Sequence, residues 1–220
     1  MKAILFGSIG SVVETSELQR SAFNSAFRDH GLAWHWDRVA YRSMLVASGG
    51  ANRLERFASE RGETVDAKAV HITKNAHFHQ LLSDDDLVAR PGVVDVCQRA
   101  LSSGISLGLV STTNLASINA ILRNVGGLSS SMFDLITSAQ IGFAQKPDPA
   151  AYCYALRTLG ITASDAIAIE DNGAGAQAAL RAGIQCLAFP GANTADHDFG
   201  DANYVGQEGL APSLFGRLAA

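Results

Sequence analysis

Four short segments of the chain carry residue types from which phosphate chemistry is built. Ser111-Thr112-Thr113-Asn114 offers hydroxyls and backbone N–H groups, and Lys146 in Gln145-Lys146-Pro147-Asp148-Pro149 offers an ammonium. Glu170-Asp171 opens the run Asn172-Gly173-Ala174-Gly175, and Gly7-Ser8-Ile9-Gly10-Ser11 adds a fourth, glycine-bounded segment. Hydroxyls, N–H groups and a cation suit an anion, while paired acids suit a hard divalent cation. Glu170, Asp171 and Lys146 sum to −1, and a bound divalent cation would bring the set to +1, a charge that attracts phosphate.

Each segment also has an ordinary reading. Ser111 could cap a following helix, and Lys146 could be a surface residue beside a proline. Glu170 and Asp171 could be acids in the first turn of a helix, where the macrodipole favours them. Gly7 to Gly10 has G-x-x-G spacing, which lacks the pattern of a dinucleotide loop; it fits a tight turn or a nest of N–H groups equally well.

The elements that must position these segments follow from apolar patterning. Short apolar runs suited to buried parallel strands occur at Ala3–Phe6, Ser106–Val110, Leu135–Ile136, Ala166–Ile169 and Cys186–Phe189. Most are separated by stretches of helical periodicity: Val93–Leu101 before Gly104, Leu115–Val125 before Gly126, Ala150–Leu159 before Gly160 and Ala174–Ala182 before Gly183. Glycine just past a periodic run supplies a left-handed helix end. The pattern is α/β, a doubly wound parallel sheet, in which ligands bind beyond the carboxyl ends of the strands.

Between the first strand and the second lies a stretch too long for a loop in a compact domain. Glu17–His30 places Phe23, Ala26 and Phe27 on one face, and Leu54–Arg61 and Val65–Leu82 are also helix-like. Residues 15–87 are therefore read as an inserted helical domain, with 1–14 and 88–220 forming the core. In the insert, His71, His77 and His79 have spacings that do not bring imidazoles together on one helix face, so a polar surface is expected rather than a metal. Arg53, taken by itself, reads as an exposed helix charge.

Composition narrows the function classes. The 220 residues carry 17 basic and 21 acidic side chains, a net charge of −4, and 47% are apolar. That describes a globular protein and excludes the clustered basic surface needed for nucleic acid. Cys97, Cys153 and Cys186 lack metal or disulfide spacing and read as small core residues of a reducing compartment. Met1-Lys2 before Ala3–Phe6 is similar to a secretory opening, but the apolar run stops at Gly7 and Glu14 and Glu17 follow early, so a buried strand and a cytoplasmic location are expected. No stretch is long enough for a membrane span.

The order and spacing of the four segments resemble the haloacid dehalogenase-like superfamily of aspartyl-phosphate phosphatases and mutases, over almost the whole chain. The resemblance implies a Rossmann-like core with a helical cap, Ser111 with Thr112 and Lys146 as phosphate ligands, and Asp171, Glu170 and the Ile9 backbone carbonyl as metal ligands. Ser48-Gly49-Gly50-Ala51-Asn52-Arg53, His71-Ile72-Thr73-Lys74 and Arg90-Pro91-Gly92 look like the branch of the rubisco-operon sugar-bisphosphate phosphatase, with Ala51 where that branch usually has lysine. This branch implies Arg53 and Lys74 as substrate ligands on the cap and a small phosphorylated metabolite as partner.

The first motif departs from the family pattern Asp-x-Asp-Gly-Thr, because the nucleophile and acid/base positions are Gly7 and Ile9. Gly7 cannot form a phospho-intermediate and Ile9 cannot transfer a proton. Mg2+, deprived of its best carboxylate, would be held weakly. The expectation is an inactive or nearly inactive homologue that keeps a sugar-phosphate pocket. The alternative is an Mg2+-dependent phosphatase in which metal-bound water attacks, assisted by Glu170 or Asp171.

Overall fold

The computed structural model describes residues 1–46, 49–84, 87–205 and 209–210. Ser48 of the expected cap motif lies outside the described residues, as do 47, 85–86, 206–208 and 211–220 of the expected domain spans. By compactness the chain divides into one unit of Met1–Glu14 and Leu87–Ala220 and another of Thr15–Asp86.

The first unit is built on strands β1 (Ala3–Phe6), β2 (Ser106–Val110), β3 (Leu135–Thr137), β4 (Ala166–Glu170), β5 (Gln185–Ala188) and β6 (Asn203–Tyr204), and the second on helices α1 (Ser16–Asp29), α2 (Arg38–Met44), α3 (Gly50–Glu60) and α4 (Ala67–Asp84). Helices α5 (Val93–Ser102), α6 (Leu115–Asn124), α7 (Ala150–Leu159) and α8 (Gly173–Arg181) complete the first unit. Its sheet is parallel throughout, in the order β3-β2-β1-β4-β5-β6. Strand order reverses at β1, whose neighbours are β2 and β4, so the carboxyl ends of these three strands form the switch-point crevice where such sheets bind ligands.

Burial explains why these segments are strands. β1 and β4 are buried along their whole length, which is why they read as unbroken apolar runs. Gly104, Gly160 and Gly183 adopt the expected left-handed conformation, but after α6 it is Gly127 and not Gly126 that does so, because Val125 leaves the helix extended. Cys97 and Cys186 are buried and Cys153 is half-buried, all as free thiols.

The second unit has its own core of Phe23, Phe27, Trp34, Trp36, Tyr41 and Leu54. Buried Asn24 pairs reciprocally with the Trp36 backbone, accepting its N–H at 2.8 Å and donating to its carbonyl at 2.9 Å. These bonds satisfy the irregular backbone that enters the aromatic cluster between α1 and α2. No helix among the described residues is long and apolar enough to cross a membrane.

Candidate functional site

The crevice at the ends of β1, β2 and β4 brings Gly7, Ser111, Lys146, Glu170 and Asp171 together, but in a self-satisfied arrangement. Lys146 is held 6% exposed, and its ammonium donates to the Val110 carbonyl at 2.9 Å, to Glu170 Oε1 at 2.6 Å and to the Gly7 carbonyl. An ammonium has three protons. All are spent within the protein, so Lys146 does not present the free cation expected of a phosphate ligand.

Glu170 is fully buried at the end of β4. Its Oε1 also accepts the phenol of Tyr152 at 2.8 Å, while Oε2 is buried without a partner among the described residues. Desolvation raises the Glu170 carboxyl, opposed by the adjacent Lys146 charge. Tyr152 is pushed well above the ordinary phenol range by burial and by Glu170, so it is a neutral donor. The Glu170 carboxylate lies between two glycines: a Cβ on either Gly7 or Gly175 would run into it.

Asp171 faces the loop after β1. Its Oδ1 accepts the Ser8 hydroxyl at 2.6 Å and the Asn172 amide at 2.8 Å, and its Oδ2 lies against Gly10, where any Cβ would collide with it. Neither acid sits in the first turn of α8, because Asn172 is the cap, its side chain accepting the Gly175 N–H. Ser111 is not a helix cap either: Asn114 caps α6, and the buried Ser111 hydroxyl oxygen accepts the Thr113 N–H at 3.0 Å. Thr112, half-buried, follows it into the crevice.

The expected cation ligands do not assemble. The Ile9 carbonyl already accepts two backbone N–H groups, from Val12 at 2.9 Å and Val13 at 2.8 Å, which occupies both lone pairs of a carbonyl oxygen. Glu170 is committed to Lys146 and Tyr152. Arg90 brings a guanidinium to the same loop, donating to the carbonyls of Gly10, Phe189 and Pro190 and stacking on the Phe189 ring. Among the described residues no group of three His, Cys, Asp or Glu could hold a metal. Mg2+ demands near-octahedral oxygen donors, and one engaged carboxylate beside an arginine does not fit it. Among the described residues, the reading in which metal-bound water attacks has no assembled ligand set.

In the second unit, Arg53 and Lys74 lie side by side, 9% and 4% exposed. Arg53 donates to the Met44 carbonyl at 3.1 Å and lies over the Tyr41 ring, so it is not an exposed helix charge. Lys74 donates to Gln19 and sits against the faces of Phe23 and Phe78. Burial and the like charge of Arg53 lower the Lys74 ammonium to about 7. The neighbouring His71 is lowered to about 4 by burial, Lys74 and Arg53. His77 is separate, paired with Asp29 at 2.6 Å, so the three histidines are not one polar face.

Sequence reasoning missed Tyr152 and named His71 and Arg90 only within the motifs that carry the resemblance, without a role at these clusters. Tyr152 carried one signal: an aromatic residue on the helix just past Lys146 in a chain whose first motif has lost side-chain volume at Gly7.

Residues 1–183 match the family model of haloacid dehalogenase-like hydrolases. The chain belongs to that family. It is 35% identical over 207 residues to Protein CbbY of Cereibacter sphaeroides, an alignment spanning 92% of this chain and 90% of that one. A structure of a CbbY mutant from Rhodobacter sphaeroides in complex with xylulose-1,5-bisphosphate matches with TM-score 0.86 and 34% identity over 93% of both chains. These relatives place the chain in the CbbY branch of the haloacid dehalogenase-like hydrolases. β-Phosphoglucomutase of Clostridium difficile matches with TM-score 0.80 at 19% identity, over 99% of this chain and 96% of that one, and shares the fold.

Proposed function

We propose that this haloacid dehalogenase-like protein binds a small phosphorylated sugar without cleaving it, the helical unit acting as cap and Arg53 and Lys74 holding a phosphoryl group. The observation that carries the reading is the burial of these two like charges side by side. Desolvating two neighbouring cations is costly, and a phosphate dianion is a ligand that would offset both. CbbY, in the same branch, is seen with xylulose bisphosphate.

The absence of turnover follows from the β1 end. Gly7 offers no atom to attack phosphorus and Ile9 no proton, while Lys146 and Glu170 satisfy each other. Removing a nucleophile from a covalent catalyst lowers turnover by roughly 10⁴ or more. Ser111 and Thr112 remain as hydroxyls at the carboxyl end of β2 and are proposed to contribute phosphate contacts.

Isothermal titration with a pentulose bisphosphate tests the reading. Binding is expected in the wild-type protein, with at least a tenfold loss in Lys74→Met. No heat of binding from any sugar phosphate, or equal affinity in the variant, would refute it.

A further inference from the structure

We propose that Tyr152 is the residue that closes the β1-end position to chemistry, its phenol and the Glu170 carboxylate together filling the space a side chain at residue 7 would need. The crevice has been refilled, not simply emptied. This goes beyond the ligand-binding reading and does not depend on it, since it concerns packing inside the first unit.

Three observations carry it. A Cβ built on Gly7 would fall inside the envelopes of both Glu170 Oε1 and Tyr152 Oη. Those two oxygens are hydrogen-bonded to one another at 2.8 Å, and both side chains are fully buried, so neither has solvent to retreat into. Lys146 ties the same carboxylate to the Gly7 carbonyl, and its ammonium lies 4.8 Å from the Tyr152 ring centroid, so backbone, acid, ammonium and phenol form one interlocked set. On the other side, the Glu170 carboxylate has no room to swing toward α8, because it already lies against Gly175.

The consequence is that residues 7 and 152 are coupled. A side chain at 7 is accommodated only if the Glu170 carboxylate moves, and shrinking residue 152 opens the space into which it can turn; a Gly7→Asp replacement inherits the same collision. Restoring acids to the first motif would therefore leave them misplaced while Tyr152 remains.

The test is a double-mutant cycle read by thermal unfolding of the full chain, with Gly7→Ala, Tyr152→Leu and the combined variant. In the Tyr152 background, Gly7→Ala is expected to lower the midpoint by about 2–12 °C, the range for overpacking a rigid core. In the Tyr152→Leu background the same change is expected to cost less than half as much. Equal drops in the two backgrounds, or a Gly7→Ala protein as stable as wild type, would overturn the proposal. Should Tyr152→Leu fail to fold, Tyr152→Phe, which removes only the hydroxyl, supplies the second background, and undiminished cost of Gly7→Ala there counts against the proposal in the same way.

Discussion

Lys74 is unfavourable for folding, and under the proposed function it is one of the side chains that hold the ligand. Its ammonium, lowered to about 7 by burial and by Arg53, binds fewer protons in the folded than in the unfolded chain between pH 7 and its ordinary value of 10.5. Stability of the ligand-free protein should therefore rise as pH increases through that window, with the Lys74 penalty fully present below it. Denaturant midpoints measured from pH 7 to 9 check this, and the rise should vanish in Lys74→Met. That variant should also be more stable than wild type at pH 7, because it removes a buried charge and keeps an apolar stem of similar shape. A phosphorylated ligand has the opposite linkage: it favours the charged amine, so affinity should fall as pH rises above 7, with a proton taken up on binding. Calorimetry in buffers of different ionisation enthalpy reads that proton directly.

The Lys146–Glu170 pair is a different case at the same scale, since its two charges are buried against each other. Lys146→Met would leave Glu170 as an uncompensated buried acid and is expected to cost about 3–5 kcal/mol by chemical denaturation. A loss below 1 kcal/mol would show that the pair is not the anchor the geometry suggests.

At the scale of elements, the sequence was most legible where burial is two-sided. β1 and β2 have the expected bounds because a strand covered on both faces is a plain apolar run with polar residues at its ends. β6 escaped notice because it is a two-residue exposed edge with no such run, and α2 because seven residues are too few for a helical period to show. The site was legible as a set of residues, but not as a set of roles. Spacing placed Lys146, Glu170 and Asp171 at strand ends, yet whether an ammonium faces a ligand or a carbonyl is a matter of tertiary contacts that periodicity does not encode. The Ile9 carbonyl illustrates the point: only the turn that follows, with Val12 and Val13 donating back, shows that its lone pairs are used.

Helix ends offer a check at this scale. Gly160 closes α7 at φ 64°, and a Cβ there would meet open space, so Gly160→Ala would pay only the backbone penalty of the left-handed region, about 1–2 kcal/mol. Thermal unfolding measures it, and an unchanged midpoint would contradict the assignment of that cap.

For the whole molecule, a parallel sheet with its crevice at β1 and a separate helical unit with its own aromatic core divide the chemistry between them. The sheet end supplies a closed network of Lys146, Glu170 and Tyr152, and the helical unit supplies the buried cations Arg53 and Lys74. The fold rests on strand burial and aromatic packing, neither of which needs an acid at Gly7 or Ile9.

The measurement that bears most directly on this account is phosphate release from xylulose bisphosphate by the purified full-length protein in the presence of Mg2+, with mass spectrometry of the protein at early times. The account predicts release no faster than a protein-free blank and an unmodified protein mass. Sustained release that is lost in Asp171→Ala, or a protein heavier by one phosphoryl group, would contradict it.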